Sequence, residues 1–250
     1  RDFCLSRGLG DVYKRQISVP SSAGAEDVAT TSTNSAPNGL DFATASTDLG
    51  VEYHTASDFL TDGLSMSFSA STDTGADATA TYRVDSHYAI GATYVTDLGD
   101  TALTIGGGVS AADGSKTGTA VANDTGGYHI GLSAVTGDLT VAAGFADGDV
   151  AAAALSSARE YDAEVTKIGV KYVTGDLTFN VGFESGESTD NAHGSTGGSS
   201  DSLDTTSASV SYAVAAGVTA LLGYTTTEAS DEGASTNDGS AWYIGANMAF

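Results

Sequence analysis

A chain of 250 residues with 32 Asp and Glu against 9 Lys and Arg carries a formal charge of −23. Nucleic-acid binding is set aside on that ground, because a phosphate backbone demands a basic surface. The mean hydropathy is −0.04, and no apolar run reaches the ~18 residues that a membrane-crossing helix needs. The length suits one domain of ordinary size, with no internal stretch that reads as a linker between two cores.

The first sixteen residues, Arg1 to Gln16, differ from everything after them. They hold four of the nine basic residues and the only cysteine, Cys4. They read as translated sequencing-adapter sequence rather than native protein, and no signal peptide is visible ahead of the next segment. Set aside with Asp2 and Asp11, they leave five basic and thirty acidic residues and no cysteine. The absence of cysteine suits an oxidising exterior compartment in which no disulfide is needed. Residues 17–46 follow as a polar, non-periodic stretch with Glu26, Asp27 and Asp41.

From there the chain alternates with period two, the signature of half-buried strands. Leu64, Met66, Phe68 and Ala70 face away from Ser65, Ser67 and Ser69. Ile130 and Leu132 oppose His129, Gly131 and Ser133, and Leu139, Val141, Ala143 and Phe145 share one side. Ile168, Val170 and Tyr172 oppose Lys167, Gly169 and Lys171, while Leu177, Phe179, Val181 and Phe183 oppose Thr178, Asn180, Gly182 and Glu184. Eleven strands are expected, at about 48–55, 63–72, 86–96, 101–111, 126–135, 138–147, 164–173, 177–186, 205–214, 217–227 and 240–250. The piece 77–85 reads equally as strand or loop.

A repeat underlies the pattern. Val95, Val135, Val173 and Val214 each precede a short turn, at spacings of 40, 38 and 41 residues. A propeller blade needs four strands in that length and each unit here holds two, so antiparallel hairpins are the better reading. Short turns at 97–100, 136–137, 174–176 and 215–216 fall on one side. Long polar loops at 112–125, 148–163, 187–204 and 228–239 fall on the other, the usual asymmetry of outer-membrane barrels. A soluble sandwich also gives two unlike faces per strand, but Tyr53, Tyr94, Tyr172 and Tyr212 each sit on the apolar face beside a turn. That is the height of an interfacial aromatic girdle. The fold class expected is all-β, a transmembrane antiparallel up-and-down barrel.

The YVTGDLT hairpin at 172–178, the VEYHT segment at 51–55 and the terminal Phe250 carry a resemblance to alphaproteobacterial general porins, the Rhodobacter-type trimeric porins of the Gram-negative outer membrane. The resemblance covers about residues 40–250. It implies about sixteen strands in the complete barrel, with the segment at 48–55 as the sixth and the first five absent. Residues 17–46 would then be a remnant of the inward-folded third loop, with Glu26, Asp27 and Asp41 as an acidic constriction, and residues 47–250 the carboxyl-terminal strands. Phe250 would belong to the signal read by the barrel assembly machinery, and the complete protein would be a homotrimer in outer-membrane lipid.

The chain offers no reactive constellation: no Gly-x-Ser-x-Gly and no His-Glu-x-x-His appears, so no catalytic residue is assigned. Gly106, Gly107 and Gly108 lie inside a strand, without the Lys-Ser/Thr that a phosphate cradle needs. Function therefore resides in a lumen. The pore-lining residues expected are Glu52, His54, Arg83, His87, His129, Lys167, Lys171 and Glu184. The histidines read as polar lining rather than metal ligands. No cofactor is expected; acidic pieces such as Asp147 to Val150 suit calcium chemically but lack a complete loop pattern. The expected activity is diffusion of small hydrophilic solutes and ions with cations preferred, because acidic loops at the mouth carry little counter-charge. The alternative is an adhesin-like surface protein with parallel β rungs. A barrel enzyme would need a Ser/His or Asp/His set at one rim, and none stands out.

Overall fold

The computed structural model describes residues 49–72, 82–116, 125–150, 159–192, 199–231 and 235–248. They form eleven strands: β1 (Leu49–His54), β2 (Leu64–Thr72), β3 (Tyr82–Leu98), β4 (Thr101–Lys116), β5 (Thr125–Thr136), β6 (Leu139–Val150), β7 (Arg159–Thr174), β8 (Leu177–Ala192), β9 (Ser199–Ala215), β10 (Val218–Asp231) and β11 (Ser235–Met248). All lie in one sheet in sequence order, each paired antiparallel with its chain neighbours. That meander contradicts the parallel rungs of the adhesin-like alternative. β1 and β11 stand at the two edges and do not pair with each other among the described residues.

Turn chemistry sets the register. In three hairpins a two-residue Gly-Asp loop joins the strands, with Gly99, Gly137 and Gly175 at φ of 65°, 55° and 57°. Hairpin turns whose twist matches the strands need positive φ at the first central position, where glycine has no Cβ to clash. Thr136 then pairs with Leu139 and Thr174 with Leu177, and every later pair is counted from there. The β9–β10 hairpin turns through Ala216 and Gly217 and takes up a register shift at Val218 and Thr219.

Register and alternation together separate two unlike faces. Phe179, Val181 and Phe183 are 43%, 53% and 42% exposed, and Ile130, Ile168, Leu222, Trp242 and Ile244 stand out on the same side. The opposite face is shielded, and what it shields is mostly small or polar, Ser69, Ser110, Asn180 and Ser209 with Ala89 and Ala142, beside the apolar Val165 and Leu221. Shielding of one face of a single-layered, twisted antiparallel sheet marks that face as the concave one. The molecule is thus apolar outside and polar inside. A contiguous apolar exterior of this extent needs a non-aqueous neighbour, and strands paired along their whole length meet a bilayer without orphaned backbone groups.

The strands outrun their sequence boundaries on the long-loop side. β7 begins at Arg159 rather than 164, β8 continues to Ala192, β9 begins at Ser199 and β11 at Ser235. Much of the expected loop length at 148–163, 187–204 and 228–239 is therefore strand, and the uncertain piece 77–85 contributes strand from Tyr82. The reason is solvent. Beyond the membrane both faces meet water, the apolar half of the alternation disappears, and the backbone ladder continues without a hydrophobic signature. The Asp147 to Val150 piece, read from sequence as loop, is the end of β6.

Candidate functional site: the inner wall of the sheet

The inner-face side chains of β5–β11 are aligned into cross-strand rows by the register. In one row Lys167 of β7 stands between Gly144 of β6 and Glu184 of β8, and Glu184 faces Thr205 of β9. Glycine beside Lys167 leaves its stem room, and its ammonium reaches the Glu184 carboxylate at 3.1 Å. Their side chains are 34% and 18% exposed, so this ion pair sits in a wetted wall rather than a dry core. The row continues through Thr205 and Thr227, whose hydroxyls lie 3.4 Å apart.

One row nearer the turns on these strands, Gly169 faces Gly182 and adds no side chain. The next row is Lys171, Asn180, Ser209, Gly223 and Tyr243, each directly opposite the next across β7 to β11. Asn180 donates through Nδ2 to the Ser209 hydroxyl at 3.4 Å. The Tyr243 ring occupies the space that a Cβ on Gly223 would fill. A third row carries the histidines: His54 faces Ser67, which faces Gly91, then Gly108, then His129. A Cβ on Gly108 would come within 2.9 Å of the His129 ring, so this glycine is what lets the imidazole lie along the wall.

Of the expected pore-lining residues, Lys167 and Glu184 meet, while Lys171 and His129 lie on other rows and His54 stands on β1 at the far end of the His129 row. Glu52 and His87 fall on the same face by register, on β1 and β3, but Arg83, expected beside them, does not. The irregularity between Val84 and Ser86 inverts the alternation and pairs Arg83 with Ser115, a position in phase with outward Val109 and Ala111. The side chains of all three lie outside the described residues. Glu26, Asp27, Asp41 and Phe250 also lie outside the described residues. No group of three or more metal-type ligands is gathered among the described residues. The alternation puts Asn180 on the polar face of its strand, but it does not single out Asn180, Ser209 or Tyr243 as pore-lining residues. Nothing in a strand pattern separates a shielded asparagine from an exposed one, whereas the register that places Asn180 opposite Lys171 comes from the turn at Gly175 and Asp176.

The outer face carries the girdles. Tyr94, Tyr172 and Tyr212 project from it beside the turns, 37%, 45% and 46% exposed, with Tyr53 likewise outward on β1. Toward the other end stands a second aromatic set that sequence reasoning passed over: Tyr88, Tyr128, Tyr224 and Trp242. The Tyr224 and Trp242 rings lie 4.5 Å apart, and Tyr128 donates its hydroxyl to Asp147 at 3.2 Å. Tyr88 and Tyr94 share β3 six residues apart, about 20 Å along the strand. Beyond the second set the outer face turns acidic. Asp147 faces Glu164, which faces Glu187; Asp204 faces Glu228, which faces Asp238. Many of the acids expected on loops around the mouth therefore stand on strand extensions, on the outer surface.

A sequence profile of the Gram-negative porins matches residues 15–232. Among solved structures, the outer membrane channel DcaP of Acinetobacter baumannii superposes with a TM-score of 0.58 at 12% identity, over 85% of this chain and 68% of that one. The loop L8 deletion mutant of OmpT, an outer membrane protein of Vibrio cholerae, gives 0.52 at 15% identity, over 84% of this chain and 65% of that one. Outer-membrane expressed OmpT gives 0.52 at 14% identity, over 81% and 65%. These identities carry the fold alone. The chain spans about 65% of the length of the OmpT structures. A search of curated proteins returned no match.

Proposed function

This chain belongs to the Gram-negative porins, an outer-membrane β-barrel family, and on that footing we propose that it forms part of the wall of a water-filled channel through which small hydrophilic solutes and ions diffuse. The observation that carries the reading is the sidedness of the sheet. Lys167, Lys171, Glu184 and Asn180 share the concave face, and Phe179, Val181 and Phe183 the convex one. A polar, charge-bearing inner face behind a lipid-facing outer one is what a water-filled lumen requires, and charged side chains on it bias which ions pass. No chemical step is assigned to the wall. The resemblance to Rhodobacter-type porins supports a homotrimer, an acidic constriction at Glu26, Asp27 and Asp41, and a role for Phe250 in assembly.

Ion preference divides between wall and rim. Among the described mid-wall residues two lysines face one glutamate, which favours anions locally. The rim carries Asp147, Glu164, Glu187, Asp204, Glu228 and Asp238. Their field extends roughly 10 Å at 0.1 M salt and enriches cations at the mouth. The proposal is cation preference at low salt that fades in molar salt. Planar-bilayer recordings on protein expressed from its full coding sequence test the channel: stepwise ohmic conductance is expected. Correctly folded protein that inserts without conducting would overturn the reading.

A further inference from the structure

The row from Lys171 to Tyr243 holds polar groups that the wall leaves unused. Asn180 is 2% exposed, and its Oδ1 has no hydrogen-bond partner although its Nδ2 reaches Ser209. A buried amide oxygen without a donor costs about 1–3 kcal/mol, so it persists where something else satisfies it. Lys171 stands directly opposite Asn180 and has no ion pair among the described residues, while Lys167, two steps of the alternation further up the same face, is already held by Glu184. At the other end the Tyr243 ring lies across Gly223 toward the same row. With strands about 4.8 Å apart, Lys171 to Gly223 spans about 14 Å, a reach that the lysine stem and the leaning ring shorten from both ends.

We propose that this row is a binding station for a small carboxylate that also bears hydroxyl groups. The inference rests on the channel reading and names the solute class that the wall would hold. The uncompensated Lys171 ammonium takes the carboxylate, a charge-assisted contact. A hydroxyl of the solute donates to Asn180 Oδ1, which accepts and has no donor. The Ser209 hydroxyl, already accepting from Asn180, donates onward to a second solute oxygen. The Tyr243 ring supplies an apolar face for the carbon skeleton. Chloride or another simple anion would satisfy Lys171 and leave Asn180 orphaned, and a neutral sugar would do the reverse. A hydroxylated carboxylate answers both.

Gluconate, acetate and glucose separate these demands. Calorimetric titration of detergent-solubilised protein, expressed from its full coding sequence, should show gluconate binding more tightly than either of the others. Lys171→Met should weaken gluconate by roughly tenfold or more and leave glucose unchanged. Asn180→Leu should weaken gluconate and glucose and leave acetate unchanged; if it does not fold, Ser209→Ala replaces it, with a smaller loss in the same two ligands. Equal affinity for gluconate in wild type and Lys171→Met, or gluconate no tighter than acetate, overturns the station. Failure of the channel reading would show separately, as absent conductance from inserted protein whatever the titration gives.

Discussion

Replacing Val181 by arginine tests which face meets lipid. Val181 is 53% exposed on the convex face, between Phe179 and Phe183, and is paired with Val170 and Ala208. It lies four residues beyond Leu177, where β8 leaves its turn. At about 3.4 Å per residue and a tilt of about 40°, that places it about 10 Å above the turn, near the middle of an apolar band about 25 Å tall. Arginine at the midplane of such a barrel costs about 2–4 kcal/mol, which is roughly a 30- to 700-fold shift in the folding equilibrium. The comparison is Thr205→Arg on the concave face, where the new guanidinium meets Glu184 across β8 and β9 and the expected change is close to zero. Urea-dependent folding into lipid vesicles, followed by heat-modifiable gel migration, reads both. Wild-type folding of Val181→Arg beside impaired folding of Thr205→Arg would invert the faces and refute the membrane reading.

Glu184→Gln removes the carboxylate that pairs with Lys167 at 3.1 Å, so the local potential rises and the reversal potential in a KCl gradient should move toward anion preference. The wild-type preference for K⁺ over Cl⁻ should shrink between 0.1 M and 1 M salt as the screening length falls from about 10 Å to about 3 Å; an anion-selective sign at low salt would mean that wall cations, not rim acids, govern the pore. Gly137→Val places a β-branched side chain at φ 55° in a two-residue turn, and should destabilise by about 1–3 kcal/mol in the vesicle-folding assay, more than the same change at Gly239, where a Cβ meets nothing within 4 Å. Cross-linking in mild detergent should give a trimer for the complete protein; monomer alone would remove the trimer from the reading.

Fold legibility differed along each strand. Within the membrane band the alternation identified the strand, its faces and the turn-side tyrosines, because lipid and water on opposite sides force period two onto residues such as Leu177 to Glu184. Above the band the same strands read as loops in the sequence. Ser, Thr, Asp and Glu there face water on both sides and carry no period, although the backbone pairing of Glu187 with Ser202 and Glu228 with Asp204 is unbroken. The second aromatic set escaped notice for a related reason. Tyr88, Tyr128 and Tyr224 sit far from any turn, and only the ladder shows that they project on the same side as Tyr94 and Tyr212.

Sequence alone therefore determined the faces within the membrane band, the number of strands and the sidedness of the loops, since all three follow from local chemistry: alternation, Gly-Asp turns and polar runs. Which residues meet across strands was decided only by tertiary structure. Lys167 and Lys171 are equivalent in the pattern, each a lysine on the inner face of β7. The register set by the turn at Gly175 and Asp176 puts a carboxylate opposite one and an amide opposite the other. A slip of one residue would have turned every one of these side chains into lipid. Charge compensation and the orphaned oxygen of Asn180 are properties of the ladder, and a ladder joins residues that the chain keeps far apart.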